Sequence, residues 1–191
     1  VDRDGPMLRL ATEFLSGGNL EEFLTKIGGV GVPLLIRMAM HMASALHTAH
    51  LRGVPHGDIR PENVLIGPDQ RLKLIDFALR PIPVERLVTD HGSLDESADT
   101  TRFLEIMTRN EDIQKDLVQF GDILDFMLKN ARRTVDPIST GGTDPSEELR
   151  ELVERLREGE FTSMLRLWQV LEQIFHHAMP QNAVDTPRPK P

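Results

Sequence analysis

The spacing of apolar residues along the chain predicts several helices and one β-hairpin. From Pro33 to about His50, Leu34, Leu35, Met38, Met42, Ala45, Leu46 and Ala49 recur at steps of three and four, which places them on one face of an α-helix. Pro33 suits a first helical turn, where its missing N–H costs no intrahelical bond. A shorter helix is predicted through Leu20, Phe23, Leu24 and Ile27, with Asn19 as its cap and Gly28-Gly29 as its stop. Helical spacing returns from Ile113 to Leu128 through Leu117, Phe120 and Leu124. Asp144 then offers a cap, Pro145 a first-turn residue, and Glu147 the closing acid of a capping box ahead of Leu149, Leu152, Val153 and Leu156. A last helix is expected from about Phe161 to Ala178, with Met164, Leu167, Trp168, Leu171, Ile174 and Phe175 on one side.

The extended elements are few. Val64-Leu65-Ile66 and Leu72-Lys73-Leu74-Ile75 flank the turn Gly67-Pro68-Asp69 and read as a β-hairpin. Met7 to Phe14 alternates loosely and runs into Ser16-Gly17-Gly18, which predicts a short strand and a turn. Arg80 to Thr101 has two prolines, many polar residues and no sustained period, so a long mobile loop is expected there; residues 131–143 also read as a loop. Residues 1–180 form one folded unit in this reading, and 181–191 a proline-rich extended tail. No internal repeat is evident.

Composition narrows the function classes. Hydrophobic residues at 39% and charged residues at 27% give an ordinary globular balance. Arg37 and His41 interrupt the longest apolar stretch, so no membrane span is predicted. Val1 to Pro6 read as a turn rather than a secretion signal. The net charge of −8 and the lack of any dense basic cluster argue against nucleic acid as a partner. The absence of cysteine rules out disulfides and thiolate metal sites, and fits a cytoplasmic setting.

Candidate chemistry concentrates in Asp58 and Asn63, on the loop after the central helix, and in Asp76, directly after the second hairpin strand. Phosphoryl transfer needs a carboxylate to orient the attacking hydroxyl and oxygen ligands to hold Mg²⁺ against phosphates. Asp58 suits the first role, Asn63 and Asp76 the second. The run HGDIRPENVLIGPDQRLKLIDFA at 56–78 resembles the catalytic loop, hairpin and metal-binding motif of eukaryotic-type Ser/Thr protein kinases. LRLATEFLSGGNLEEFL at 8–24 is similar to the last small-lobe strand, the adenine-contacting hinge and the helix that follows, and DLVQFGDIL at 116–124 to the helix whose leading aspartate braces the catalytic loop. The resemblance implies a mainly α (α+β) fold, a large helical kinase lobe with a short β-hairpin and one residual hinge strand. It further implies backbone contacts to adenine near Glu13, Phe14 and Leu15, catalytic roles for Asp58, Arg60 and Asn63, Mg²⁺ ligation by Asn63 and Asp76, and bracing by Asp116. ATP and Mg²⁺ are the implied cofactors, and a protein substrate or regulatory protein the implied partner. Arg102 to Ile106 is similar to the end of an activation segment, with Glu105 as its acid.

Several positions depart from the family pattern. Gly57 stands where most kinases have Arg, which removes the usual partner of a phosphorylated activation loop; Thr89, Ser93, Ser97, Thr100 and Thr101 are therefore poor candidates for switches. Arg60 replaces Lys, keeping the charge but not the hydrogen-bonding shape. Ala78 replaces the Gly after Asp-Phe, removing backbone freedom. The 191 residues contain no Gly-rich phosphate loop and no Val-Ala-Ile-Lys-like strand; the lysines at 26, 73, 115, 129 and 190 lie in other contexts. The expectation is that this chain alone is not a competent kinase: it transfers phosphate only when a small lobe completes it. The alternative is a pseudokinase acting as a regulatory or interaction module. Self-association through the face that a small lobe would cover is a further expectation. His56 is expected to pack within the core, while His41, His47, His50, His176 and His177 read as solvated or helix-end residues rather than metal ligands. Trp168 and Met38, Met40 and Met42 read as core filling, and Glu147, Glu148, Glu151 and Glu154 as solvated helix residues.

Overall fold

The computed structural model describes residues 13–67, 71–77, 97–132 and 144–179, with backbone alone for 97–109. Its elements are α1 (Leu20–Ile27), α2 (Val32–Leu51), a 3-10 turn (Pro61–Asn63), strands β1 (Val64–Ile66) and β2 (Leu72–Leu74), and helices α3 (Ser97–Lys129), α4 (Pro145–Arg157) and α5 (Met164–Ala178). The architecture is the expected one, mainly helical with one antiparallel hairpin. Leu65 lies opposite Lys73 in that hairpin, and Val64 opposite Leu74. The expected strand over 7–14 lies almost wholly outside the described residues, as do most of the loops expected over 80–101 and 131–143 and all of the expected tail over 181–191.

Local chemistry accounts for most boundaries. Asn19 accepts from the Glu22 N–H at 2.9 Å while the Glu22 carboxylate accepts from the Asn19 N–H, a reciprocal capping box that opens α1. Gly28, in the left-handed region, closes it. The Arg132 side chain reaches back to the carbonyls of Ile27 and Gly28, satisfying oxygens that the helix end leaves unpaired. Asp144 caps α4 through the Ser146 N–H. Glu147 pairs instead with Arg150 one turn on, so the expected capping box does not form.

Helix α2 packs on α5, and α3 on α4. Their apolar stripes meet in one core that includes Leu35, Leu46, Phe120, Leu124, Leu152, Leu167 and Leu171. Met38 and Met42 are buried in it, with Met40 and Trp168 packed against its margin. Two boundaries differ from the sequence reading. Helix α5 begins at Met164, not Phe161, because the Ser163 hydroxyl caps it through the Arg166 N–H, and Phe161 is buried ahead of the first turn. Helix α3 begins at Ser97, sixteen residues before the expected Ile113. Residues 97–101 are thus helical rather than loop, and 102–106 lie inside the helix rather than ending an activation segment; the Glu105 side chain is outside the described residues. The polar run Thr108 to Asp112 interrupts the apolar period, so periodicity began the helix too late in the chain.

Candidate functional site

The loop between α2 and β1 is held from beneath by α3. Asp116, fully buried, accepts from the His56 N–H and the Gly57 N–H, each at 2.7 Å, through different carboxylate oxygens. A carboxylate is suited to this position because one group can accept from several converging donors, and charge-assisted bonds are the strong ones. His50, at the end of α2, places its Nε2 2.7 Å from the same carboxylate. Three residues along α3, and so on the same helix face, Gln119 accepts from the Ile59 N–H at 3.0 Å. Gly57 sits at φ 80°, a conformation that favours glycine. The expected brace by Asp116 is therefore present, and it is shared with His50 and Gln119. His50 lies in the last turn of α2, one of the two expected settings, and is buried rather than solvated.

Above this brace, the Asn63 amide nitrogen donates to the Asp58 backbone carbonyl at 2.9 Å and to its carboxylate at 3.0 Å. Pro61–Asn63 is a single 3-10 turn, which bends the chain so that Asn63 folds back over Asp58. The hairpin then returns residue 76 to the same place. The Ile75 N–H donates to the Asn63 carbonyl at 3.0 Å, and the Phe77 ring lies 4.4 Å from the His56 imidazole. Both neighbours of Asp76 are thereby pinned on the 56–63 loop. Asp76 itself has φ 56°, left-handed backbone that Asp tolerates better than most residues. Its side chain and that of Asp58 are exposed, whereas Asn63 is buried.

The His56 ring is buried, and burial holds its pKa below the ordinary value, against opposing pulls from Asp116 first and then from the Ile75 backbone and Asp58. Its Nδ1 accepts from the Asp58 N–H at 3.3 Å, so the ring fixes the backbone of the residue it precedes by two. Arg60 projects into solvent and forms a bidentate pair with Glu62, both bonds 2.9 Å. Those hydrogen bonds draw the Glu62 carboxyl down to about 2 and raise the Arg60 guanidinium. Among the described residues no three His, Asp or Glu side chains gather as a metal cluster.

Residues 13–15 lie along the hairpin. Glu13 pairs with Lys73 of β2, the Ile66 N–H donates to the Gly18 carbonyl at 3.0 Å, and Asn19 bridges to Leu65. Gly17 passes so close that a Cβ would stand 2.2 Å from the Ile66 carbonyl oxygen. Phe14 points outward, 88% exposed. Ala78 lies outside the described residues. The positions that sequence reasoning missed are His50, Gln119 and Glu62. Only Gln119 carried a signal, its three-residue spacing from Asp116; His50 and Glu62 are defined by contacts with no sequence pattern behind them.

A helical lobe whose buried aspartate holds a loop bearing Asp58 and Asn63, with a hairpin delivering Asp76 to that loop, defines a protein-kinase-like large lobe. The family model "Protein kinase domain" matches residues 3–104, more than half of the 191 residues. The chain belongs to the protein kinase domain family. It is 27% identical over 124 residues to a probable serine/threonine-protein kinase of Clostridium acetobutylicum, covering 65% of this chain and 19% of that protein. It is 32% identical over 90 residues to the serine/threonine-protein kinase PknH of Mycobacterium bovis (47% and 15%), and 29% identical over 119 residues to PknL of Mycobacterium tuberculosis (62% and 30%). The matched stretches thus span less than a third of each of these relatives. No helix among the described residues is long and apolar enough to cross a membrane.

Proposed function

We propose that residues 1–180 form the substrate-facing lobe of a Ser/Thr protein kinase, which transfers the γ-phosphoryl group of ATP to a protein hydroxyl when a small lobe covers it. The observation that carries this reading is the Asn63 amide: its nitrogen is committed to Asp58, which leaves its oxygen for a cation and holds the Asp58 carboxylate at the loop surface. Asn63 and Asp76 would hold Mg²⁺. Two protein oxygen ligands suit this ion, which keeps waters and takes further oxygens from phosphates. When bound, Mg²⁺ neutralises charge on the phosphates. Asp58 orients and accepts the proton of the attacking hydroxyl. Arg60 offers its guanidinium edge not engaged by Glu62 to phosphate oxygens, and the backbone at Glu13, Phe14 and Leu15 meets the adenine.

A second reading, a pseudokinase that binds partners without transferring phosphate, is favoured by Gly57, Arg60 and Ala78, which depart from the catalytic pattern together. Thermal unfolding with ATP, with and without Mg²⁺, separates the two, because a ligand that binds only the folded state raises its stability. The kinase reading expects a rise in Tm that needs Mg²⁺ and is lost in Asp76→Asn. A response to ATP that is indifferent to Mg²⁺ and to Asp76 refutes it.

A further inference from the structure

A groove of about 740 Å³ runs along the solvent face of α2, lined by residues outside the candidate site. Leu34, Arg37, His41 and Ala45 form one wall, at steps of three and four along the helix, and Arg71 and Leu72 of the hairpin stand opposite. From residue 34 to 45 the wall extends ~16 Å at the helical rise, room for about five residues of extended chain.

Two features distinguish this groove. The chain carries a net −8, yet no acid occurs between Glu22 and Asp58, so the whole of α2 lacks carboxylates. Among the described residues, the titratable ones that line the groove, Arg37, His41 and Arg71, are all basic. Arg71 is itself held by a contact within the chain, and Arg37 is the exposed cation on the helix wall. Arg37 and His41 are exposed, and Leu34, about one turn before Arg37, is 45% exposed, an aliphatic surface beside a guanidinium. On an acidic protein, a basic and aliphatic groove is complementary to anionic chain with an apolar anchor, and not to a second copy's predominantly acidic surface.

We infer that this groove docks a short acidic segment of a partner protein, with carboxylates facing Arg37 and an aliphatic side chain seated between Leu34 and Leu72. The inference does not depend on phosphoryl transfer and stands or falls apart from it. The test is selection of a phage-displayed random dodecapeptide library on the chain, with counter-selection on Arg37→Glu. Enriched peptides are expected to be net acidic and to carry Leu, Ile or Val. A synthetic copy of the leading peptide should bind the wild type about tenfold more tightly than it binds Arg37→Glu or Ala45→Trp, and should weaken as salt is raised. Both substitutions are at exposed positions, and an unchanged Tm confirms that each variant is folded. No enrichment, enrichment without an acidic bias, or binding indifferent to both variants overturns the inference. So does a concentration-dependent dimer abolished by Ala45→Trp, which would assign the groove to a second copy.

Discussion

Asp116→Asn is the most informative substitution, because it keeps the shape of a fully buried side chain and removes only its charge and one acceptor. In the native protein one carboxylate oxygen accepts from the His56 N–H and contacts His50 Nε2, while the other accepts from the Gly57 N–H. An amide has one acceptor oxygen. If it faces His56, its NH₂ meets the Gly57 N–H donor to donor. A hydrogen bond to a charged group contributes roughly 1.5–3 kcal/mol and a neutral one roughly 0.5–1.5 kcal/mol. Losing the Gly57 bond therefore costs about 2 kcal/mol, and demoting the other two costs about 1 kcal/mol each. Relief from burying a charge offsets part of this, which leaves a net loss of about 3 kcal/mol, a large share of the ~5–15 kcal/mol that holds a typical domain. At about 2–4 °C per kcal/mol for a chain of this size, Tm should fall by roughly 6–12 °C. Urea unfolding followed by circular dichroism measures the change. Asp122→Asn, on the same helix but exposed, is the control and should change stability by less than about 1 kcal/mol. If Asp116→Asn unfolds within about 0.5 kcal/mol of the wild type, the carboxylate does not brace the loop, and the account of the candidate site loses its foundation.

Other outcomes follow from single contacts. Gly28→Ala places a Cβ in open space at left-handed φ and should cost about 1 kcal/mol. Gly29→Ala should cost markedly more, because its Cβ would lie 2.2 Å from the Asn130 carbonyl oxygen as well as at φ 86°; equal Tm values for the two variants would contradict the packing described. Asn19→Ala removes the side-chain half of a capping box, the bond from the Glu22 N–H, and should lower stability by about 1 kcal/mol in thermal melts. Burial favours neutral His56, so the unfolded chain takes up the extra proton first as pH falls below the ordinary value of 6.5. The contribution of this residue to stability is thus present above that pH and declines below it. NMR titration of the ring should find its midpoint below 6.5, and a midpoint at or above 6.5 refutes the burial account.

Much of the fold was legible because its helices obey periodicity and punctuation. Pro33 marks the first turn of α2, Asn19 and Gly28 bound α1, and the hairpin strands flank a Gly-Pro-Asp turn. The errors lie where those signals are silent. The first turns of α3 are polar, so their helicity has no apolar period to betray it, and Ser163 ends the reach of α5 toward Phe161 by a cap rather than by a break in pattern. In the candidate site, Asp58, Asn63, Asp76 and Asp116 were readable from type and order. Their mutual contacts were not, and neither were the partners His50, Gln119 and Glu62.

The division has a physical basis. Amphipathic spacing, caps and turn residues act within a few positions of one another, so the sequence by itself determined the helices, the hairpin and which residue types could serve phosphate chemistry. A buried carboxylate acquires its role from donors sixty residues away, and a groove from two elements that meet only after packing. Which donors meet the Asp116 carboxylate, and that Arg71 and Leu72 stand opposite α2, were therefore decided by tertiary structure, through long-range packing that no local pattern encodes.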